Sequence, residues 1–145
     1  MSRLSIHKLR ELKANGQRFA MITAYDYPSA RLVEQAGVPV ILVGDSLGSV
    51  ILGYESTVPV TMDDVVYHNR AVVRGTSKAS VVADLPFMSY HANADDAIRN
   101  AGRLLQEGGA TAQQVAQRAS LAVGQGERHV LHRLADRHAM HLVLL

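Results

Sequence analysis

Cysteine is absent from the 145 residues, so the chain has no disulfide framework and no thiolate to serve as nucleophile or metal ligand, as suits a reducing compartment. Tryptophan is absent as well, and aromatic residues make up only 5%, leaving few flat rings for stacking on nucleobases. Charge of one sign is scarce in excess. Fifteen Lys and Arg stand against thirteen Asp and Glu, a formal net charge of +2, and the basic residues form no block. The footprint of a nucleic-acid binder is therefore missing. Long hydrophobic runs are missing too: no apolar stretch approaches the roughly 18 residues of a membrane span. The opening MSRLSIHKLRELKANG is too polar for a signal peptide. The expectation is a soluble, cytoplasmic protein with neither membrane nor nucleic acid as partner. The remainder, 48% hydrophobic and 19% charged, is ordinary for one globular domain, which at this length buries about two-thirds of its unfolded surface.

Hydrophobic periodicity organises the first 110 residues. Ser5 followed by residues 7–13 predicts a short amphipathic helix ended by Asn15-Gly16, residue types that tolerate the left-handed conformation. RFAMITAY (18–25) predicts a strand, and DYPSARLVEQAG (26–37) a helix ending in glycine. Residues 38–44 form a second strand, followed by a loop and then a helix over 61–75 with Asp63 and Asp64 at its positive end. SVVAD (80–84) is a third strand, and a helix runs from Asn93 as cap to Gln106 before Gly108-Gly109. Apolar strands alternating with helices predict parallel βαβ units. A unit takes roughly 35 residues, so eight would fill the roughly 250 of a (β/α)8 barrel. The expected fold class is α/β, with three to four barrel units in these residues.

In such folds the chemistry gathers where strands end, and Asp45 and Asp84 end the second and third strands. Two carboxylates at one mouth suit a hard cation such as Mg2+, which prefers oxygen ligands and polarises a substrate carbonyl as a Lewis acid. Ser46 adds a hydroxyl, and Gly44 and Gly48 let the backbone approach a small anion. The alternative is structural: Asp45 caps a helix or turn and Asp84 simply ends its strand.

The segments ITAYDYPSA, LVGDSLG, GYESTVPVTMDD, YHNRAVVRG and ADLPFMSY, in this order and spacing, resemble ketopantoate hydroxymethyltransferase, also called 3-methyl-2-oxobutanoate hydroxymethyltransferase. The likeness runs from about residue 5 to about residue 112. It implies a barrel of the phosphoenolpyruvate/pyruvate superfamily, a decamer in bacteria, and hydroxymethyl transfer from 5,10-methylenetetrahydrofolate to 3-methyl-2-oxobutanoate, giving 2-dehydropantoate for pantothenate synthesis. On the same footing Asp45 and Asp84 match Mg2+ ligands, and Asp45, Ser46 and Asp84 match keto-acid contacts. Chelated through its carboxylate and keto oxygens, the keto acid forms a metal-stabilised enolate whose C3 attacks the folate methylene. The family's general base, a glutamate, has no counterpart among these residues.

The likeness stops at the fourth strand. Gln114 and Ala116 stand where the family has a lysine that binds the keto acid and a glutamate at the metal. From about residue 113 onward Lys, Ile, Pro, Phe and Tyr disappear. The expectation is two regions: 1–112 as the first half of a barrel, and 113–145 as an atypical, helical tail produced by a frameshift. Thr111 with Gln114 has the form of a capping box, Val130, Leu131, Leu134, Ala135, Leu142 and Leu145 form an apolar stripe, and two tail helices could cover the open half-barrel. His129, His132 and Asp136 share a helical face, a weak zinc pattern weighed against solvated histidines. Tyr25 and Tyr90 lie toward the mouth, with packing as the favoured role, and His68 and His91 receive no catalytic assignment. Three readings follow: the transferase, with this chain alone inactive; a non-catalytic fragment that retains Mg2+ and keto-acid binding; and a related carbon-carbon lyase. Unpaired edge strands would favour association over the decamer.

Overall fold

The structure, a computed structural model, describes residues 3–114. Helix α1 (Ile6–Ala14) starts where Ser5 Oγ accepts from Lys8 N–H at 3.3 Å and ends at Asn15, followed by Gly16 at φ 66°. Strand β1 (Met21–Thr23) leads into α2 (Tyr27–Gln35), capped by the Asp26 carboxylate, which accepts from Ser29 N–H at 2.7 Å. Strand β2 (Val40–Val43) is followed by a one-turn helix, α3 (Leu47–Val50), and then by α4 (Met62–Gly75), whose start is a capping box between Thr61 and Asp64. Strand β3 (Ser80–Asp84), α5 (Ala94–Gln106) with Asn93 as cap, and β4 (Ala112–Gln114) complete the described elements.

All three strand pairs are parallel, in the order β1-β2-β3-β4. Strand alternation divides the core into two layers. Ile41, Val43, Val81 and Ala83 pack with Ala30, Val65, Val72, Ala97 and Leu104 from the helices. Val40, Val82 and Ala112 pack on the opposite face against Leu9 of α1. Helices along one face and a terminal helix under the other reproduce the first half of a (β/α)8 barrel, as expected. Asp84 shares the alternation of Val82, so it leaves the sheet on the α1 side, at the carboxyl edge.

Close approaches hold the helical layer. A Cβ on Gly75 would lie 2.7 Å from the Tyr27 carbonyl oxygen, so α4 crosses α2 only because that residue is glycine. Asn69 is fully buried in α4 and donates from Nδ2 to the Gly108 carbonyl at 2.8 Å. At the opposite end of the sheet Glu34 Oε1 accepts from the N–H groups of Ser77, Lys78 and Ala79 at 2.7 to 2.9 Å. Burial alone would raise its pKa; those donors, with the Ser77 hydroxyl, instead hold it down at about 2.

Three expectations need correction. The first two strands are shorter than 18–25 and 38–44, because each pairs only where its neighbour is extended. The loop after β2 contains α3, too short to produce a helical period. The Thr111–Gln114 capping box does not form: Thr111 N–H donates to the Val81 carbonyl at 2.8 Å, its Oγ1 accepts from Val81 N–H at 3.3 Å, and residues 112–114 continue as β4. The edge of β3 offers that backbone a ladder, which outweighs a local helix signal. The tail stripe, its covering helices and the His129, His132, Asp136 pattern lie outside the described residues. Among the described residues no helix is long and apolar enough to cross a membrane.

Candidate functional site

The site grows from the ends of β2 and β3. After Val43 the chain turns through Gly44, Asp45 and Ser46, with Leu47 N–H donating to the Gly44 carbonyl at 3.1 Å and Gly48 N–H to the Asp45 carbonyl at 2.9 Å. This tight turn needs Gly48, since a Cβ there would stand 2.5 Å from Val60 Cγ2. Ser46 occupies the cap position of α3 but makes no side-chain cap bond. The capping bonds of this turn come from the backbone. The Ser46 hydroxyl is left for other partners, and the Asp45 charge acts on Asp84 and Tyr90.

Asp84, the last residue of β3, approaches the same point. A Cβ built on Gly44 would lie 3.3 Å from Asp84 Oδ2 and 3.6 Å from Ser46 Oγ. Both oxygens therefore lie over the bare face of Gly44, which leaves them room. The other carboxylate oxygen, Oδ1, is buried and finds no hydrogen-bond partner. Burial, and next the negative charge of Asp45, push the Asp84 carboxyl up to about 7. A strand that merely ended in a carboxylate would let it reach water or a backbone donor.

Two buried tyrosines flank the pair. Tyr25 (8% exposed) places its hydroxyl 2.8 Å from Ser46 Oγ, and its carbonyl lies 2.6 Å from His68 Nδ1 on α4. Tyr90 (5% exposed) is raised in pKa by burial first, then by Asp45 and Asp84. Its ring stacks on His91 at 4.0 Å, and His91 Nδ1 accepts from the N–H of Met88, a residue at φ 63°. His68 and His91 thus brace the loops that carry the tyrosines. The tie between Tyr25 and Ser46 escaped sequence reasoning because it joins residues 21 positions apart; a tyrosine just past a strand end was the only hint.

The donor set is all oxygen, which fits a hard divalent cation and disfavours zinc or copper. An orphaned buried carboxylate oxygen beside a second carboxylate is what such a cation would satisfy. Among the described residues no three of His, Cys, Asp and Glu gather into a metal cluster; a cation held by two carboxylates would keep its other positions for water or a chelating substrate. In backbone register Gln114 pairs with Asp84, which puts the position expected to hold a lysine directly beside the candidate ligand.

Comparison with known proteins supplies the context. The family model of ketopantoate hydroxymethyltransferase matches residues 3–124. Two relatives called 3-methyl-2-oxobutanoate hydroxymethyltransferase are similar. That of Carboxydothermus hydrogenoformans is 61% identical over 112 residues, covering 77% of this chain and 41% of its own length. That of Dehalococcoides mccartyi is 59% identical over 110 residues, covering 76% and 39%. The chain spans about two-fifths of the length of the curated relatives it matches. Among solved structures, 2,3-dimethylmalate lyase, a PEP mutase/isocitrate lyase superfamily member, superposes with a TM-score of 0.65 at 17% identity, covering 90% of this chain and 48% of that one. Phosphonopyruvate hydrolase in complex with oxalate and Mg++ gives 0.59 at 23% identity, covering 72% and 36%. These two likenesses concern the fold.

Proposed function

The chain belongs to the ketopantoate hydroxymethyltransferase family, and from that premise we propose that it carries the metal- and keto-acid-binding half of a site for hydroxymethyl transfer from 5,10-methylenetetrahydrofolate to 3-methyl-2-oxobutanoate. The observation that carries the reading is the carboxylate pair. Asp84 is half-buried, with Oδ1 fully covered and without a partner, and it is crowded by the charge of Asp45, an arrangement that costs stability unless a cation occupies it.

Asp45 and Asp84 would hold Mg2+, which supplies Lewis-acid polarisation of the keto acid and so favours loss of its C3 proton. Ser46 presents a hydroxyl that hydrogen-bonds a substrate oxygen. Gly44, by lacking a side chain, keeps the space between Ser46 and Asp84 open. The buried rings of Tyr25 and Tyr90 would lower the local polarity beside the pair, which strengthens each polar contact. No residue of 3–114 is assigned the base that takes the C3 proton.

A lyase reading draws on the same fold, but relatives near 60% identity are transferases by name while the lyase stands at 17%. Incubating the 145-residue protein with Mg2+, the keto acid and methylenetetrahydrofolate tests the reading. Calorimetry is expected to show Mg2+-dependent keto-acid binding, and product analysis no dehydropantoate at a normal enzymatic rate. Absence of binding would contradict the half-site. Full turnover would show that a base is present in this chain after all.

A further inference from the structure

Ser46 has one proton and two lone pairs to place. Carboxylates stand on either side of it, Asp45 next in sequence and Asp84 across Gly44, and either would draw the hydroxyl proton toward itself and away from an incoming anion. Among the described residues the hydroxyl has one hydrogen-bond partner, the Tyr25 hydroxyl, at 2.8 Å. A phenol donates more readily than an aliphatic alcohol and accepts less well, so the favoured direction runs from Tyr25 O–H to Ser46 Oγ. That direction fills one lone pair of Ser46 and leaves its proton free to turn to a ligand. Hydrogen bonds in series also polarise one another, so the Ser46 proton becomes a better donor.

Tyr25 is itself held at both ends. The ring is buried, and its carbonyl lies 2.6 Å from His68 Nδ1. A carbonyl only accepts, so that nitrogen carries the proton. Two separate hydrogen bonds, one at the backbone and one at the phenol of Tyr25, thus tie α4 to the turn after β2 through the residue that follows β1. The Ala24 N–H, donating to the Leu42 carbonyl at 3.1 Å, fixes the backbone just before Tyr25.

We propose that Tyr25 is a positioning residue: by donating to Ser46 Oγ it aims the Ser46 proton at an oxygen of the bound 2-oxo acid. This rests on the keto-acid reading of the site given above. Tyr25 does not touch the ligand in this account, so its whole effect passes through Ser46.

That route makes a double-mutant cycle decisive. Calorimetric titration of 3-methyl-2-oxobutanoate into the full chain at saturating Mg2+ is done for the wild type, Tyr25→Phe, Ser46→Ala and the double variant. Tyr25→Phe is expected to weaken binding about five- to tenfold, the scale of one lost hydrogen bond. Ser46→Ala should weaken it at least as much, and the double variant no more than Ser46→Ala alone. Mg2+ affinity without keto acid, and the thermal midpoint, should be the same in Tyr25→Phe and the wild type. Losses that multiply in the double variant would overturn the proposal, as would a Tyr25→Phe protein whose Mg2+ affinity falls in parallel. A wild type that binds Mg2+ but no keto acid would overturn the functional reading together with it, an outcome distinct from the other two.

Discussion

Replacing Asp84 with asparagine should make the metal-free protein more stable, although it removes the residue on which the site depends. The folded state holds the Asp84 carboxyl at about 7 against an ordinary 3.8, through burial and the charge of Asp45. At about 1.4 kcal/mol per pH unit, ionising it in place costs about 4 kcal/mol. The sign follows from proton binding. Below pH 3.8 both folded and unfolded chains keep the proton and no cost arises. Between 3.8 and about 7 the unfolded chain releases it first, so stability falls as pH rises, and above about 7 the cost is complete. Asparagine keeps the shape and abolishes the charge. Its amide introduces a donor at a position where Oδ1 has no partner, which offsets about 1 to 2 kcal/mol. A net gain of roughly 2 to 3 kcal/mol at pH 8 is expected, measured by urea denaturation in EDTA, and it should vanish at about pH 5 and change sign below it. Adding Mg2+ should reverse the order: at about a thousand times its Kd a ligand stabilises by about 4.1 kcal/mol, and only the wild type would receive it. An Asp84→Asn protein less stable than wild type in EDTA at pH 8, or a gap that does not change with pH, would refute the reasoning.

Other sites give further tests. Gly48→Ala drives a Cβ to 2.5 Å from Val60 Cγ2, and overpacking of this kind costs about 1 to 3 kcal/mol in a melting experiment; because the turn carrying Asp45 must shift, Mg2+ affinity should fall with it. Glu34→Gln weakens the clamp on Ser77, Lys78 and Ala79, with a loss of about 1 to 2 kcal/mol after allowance for solvent screening. Since the folded value of Glu34 is about 2 against 4.5, its contribution is present above pH 4.5 and lost as pH falls toward 2, so the two proteins should converge in acid denaturation. Thr61→Ala removes half of the α4 capping box and should lower stability by about 1 kcal/mol in denaturant titration. Sequencing the coding DNA tests the frameshift: another frame downstream of Ala112 should encode a lysine-glutamate pair and further barrel units, and finding none would end that idea.

What could be read from the chain in advance was what lies close together along it. SVVAD is a run of small and β-branched residues closed by a carboxylate, and it forms β3 residue for residue. Ser5, Asp26, Thr61 and Asn93 each precede an apolar helical period, and each caps its helix. Asp45 and Asp84 were legible as a pair because strands buried on both faces leave only their ends for chemistry. Contacts between distant residues left no such trace. Glu34 reaches donors more than 40 positions away, and Tyr25 meets Ser46 only after two strands have paired. Helix α3 has four residues, fewer than a helical period needs to show itself. Thr111 and Gln114 carried a true local signal for a helix cap, and the unpaired edge of β3 proved the stronger partner.

The central claim is that Asp45 and Asp84 act together as a divalent-cation site. Titration of Mg2+ into the chelator-treated 145-residue protein, followed by calorimetry and by the thermal midpoint, tests it most directly. The account predicts one saturable site and a raised midpoint in the wild type, with both lost in Asp45→Asn and in Asp84→Asn. Binding that survives in either variant, or no Mg2+ response in a folded wild type, would contradict it.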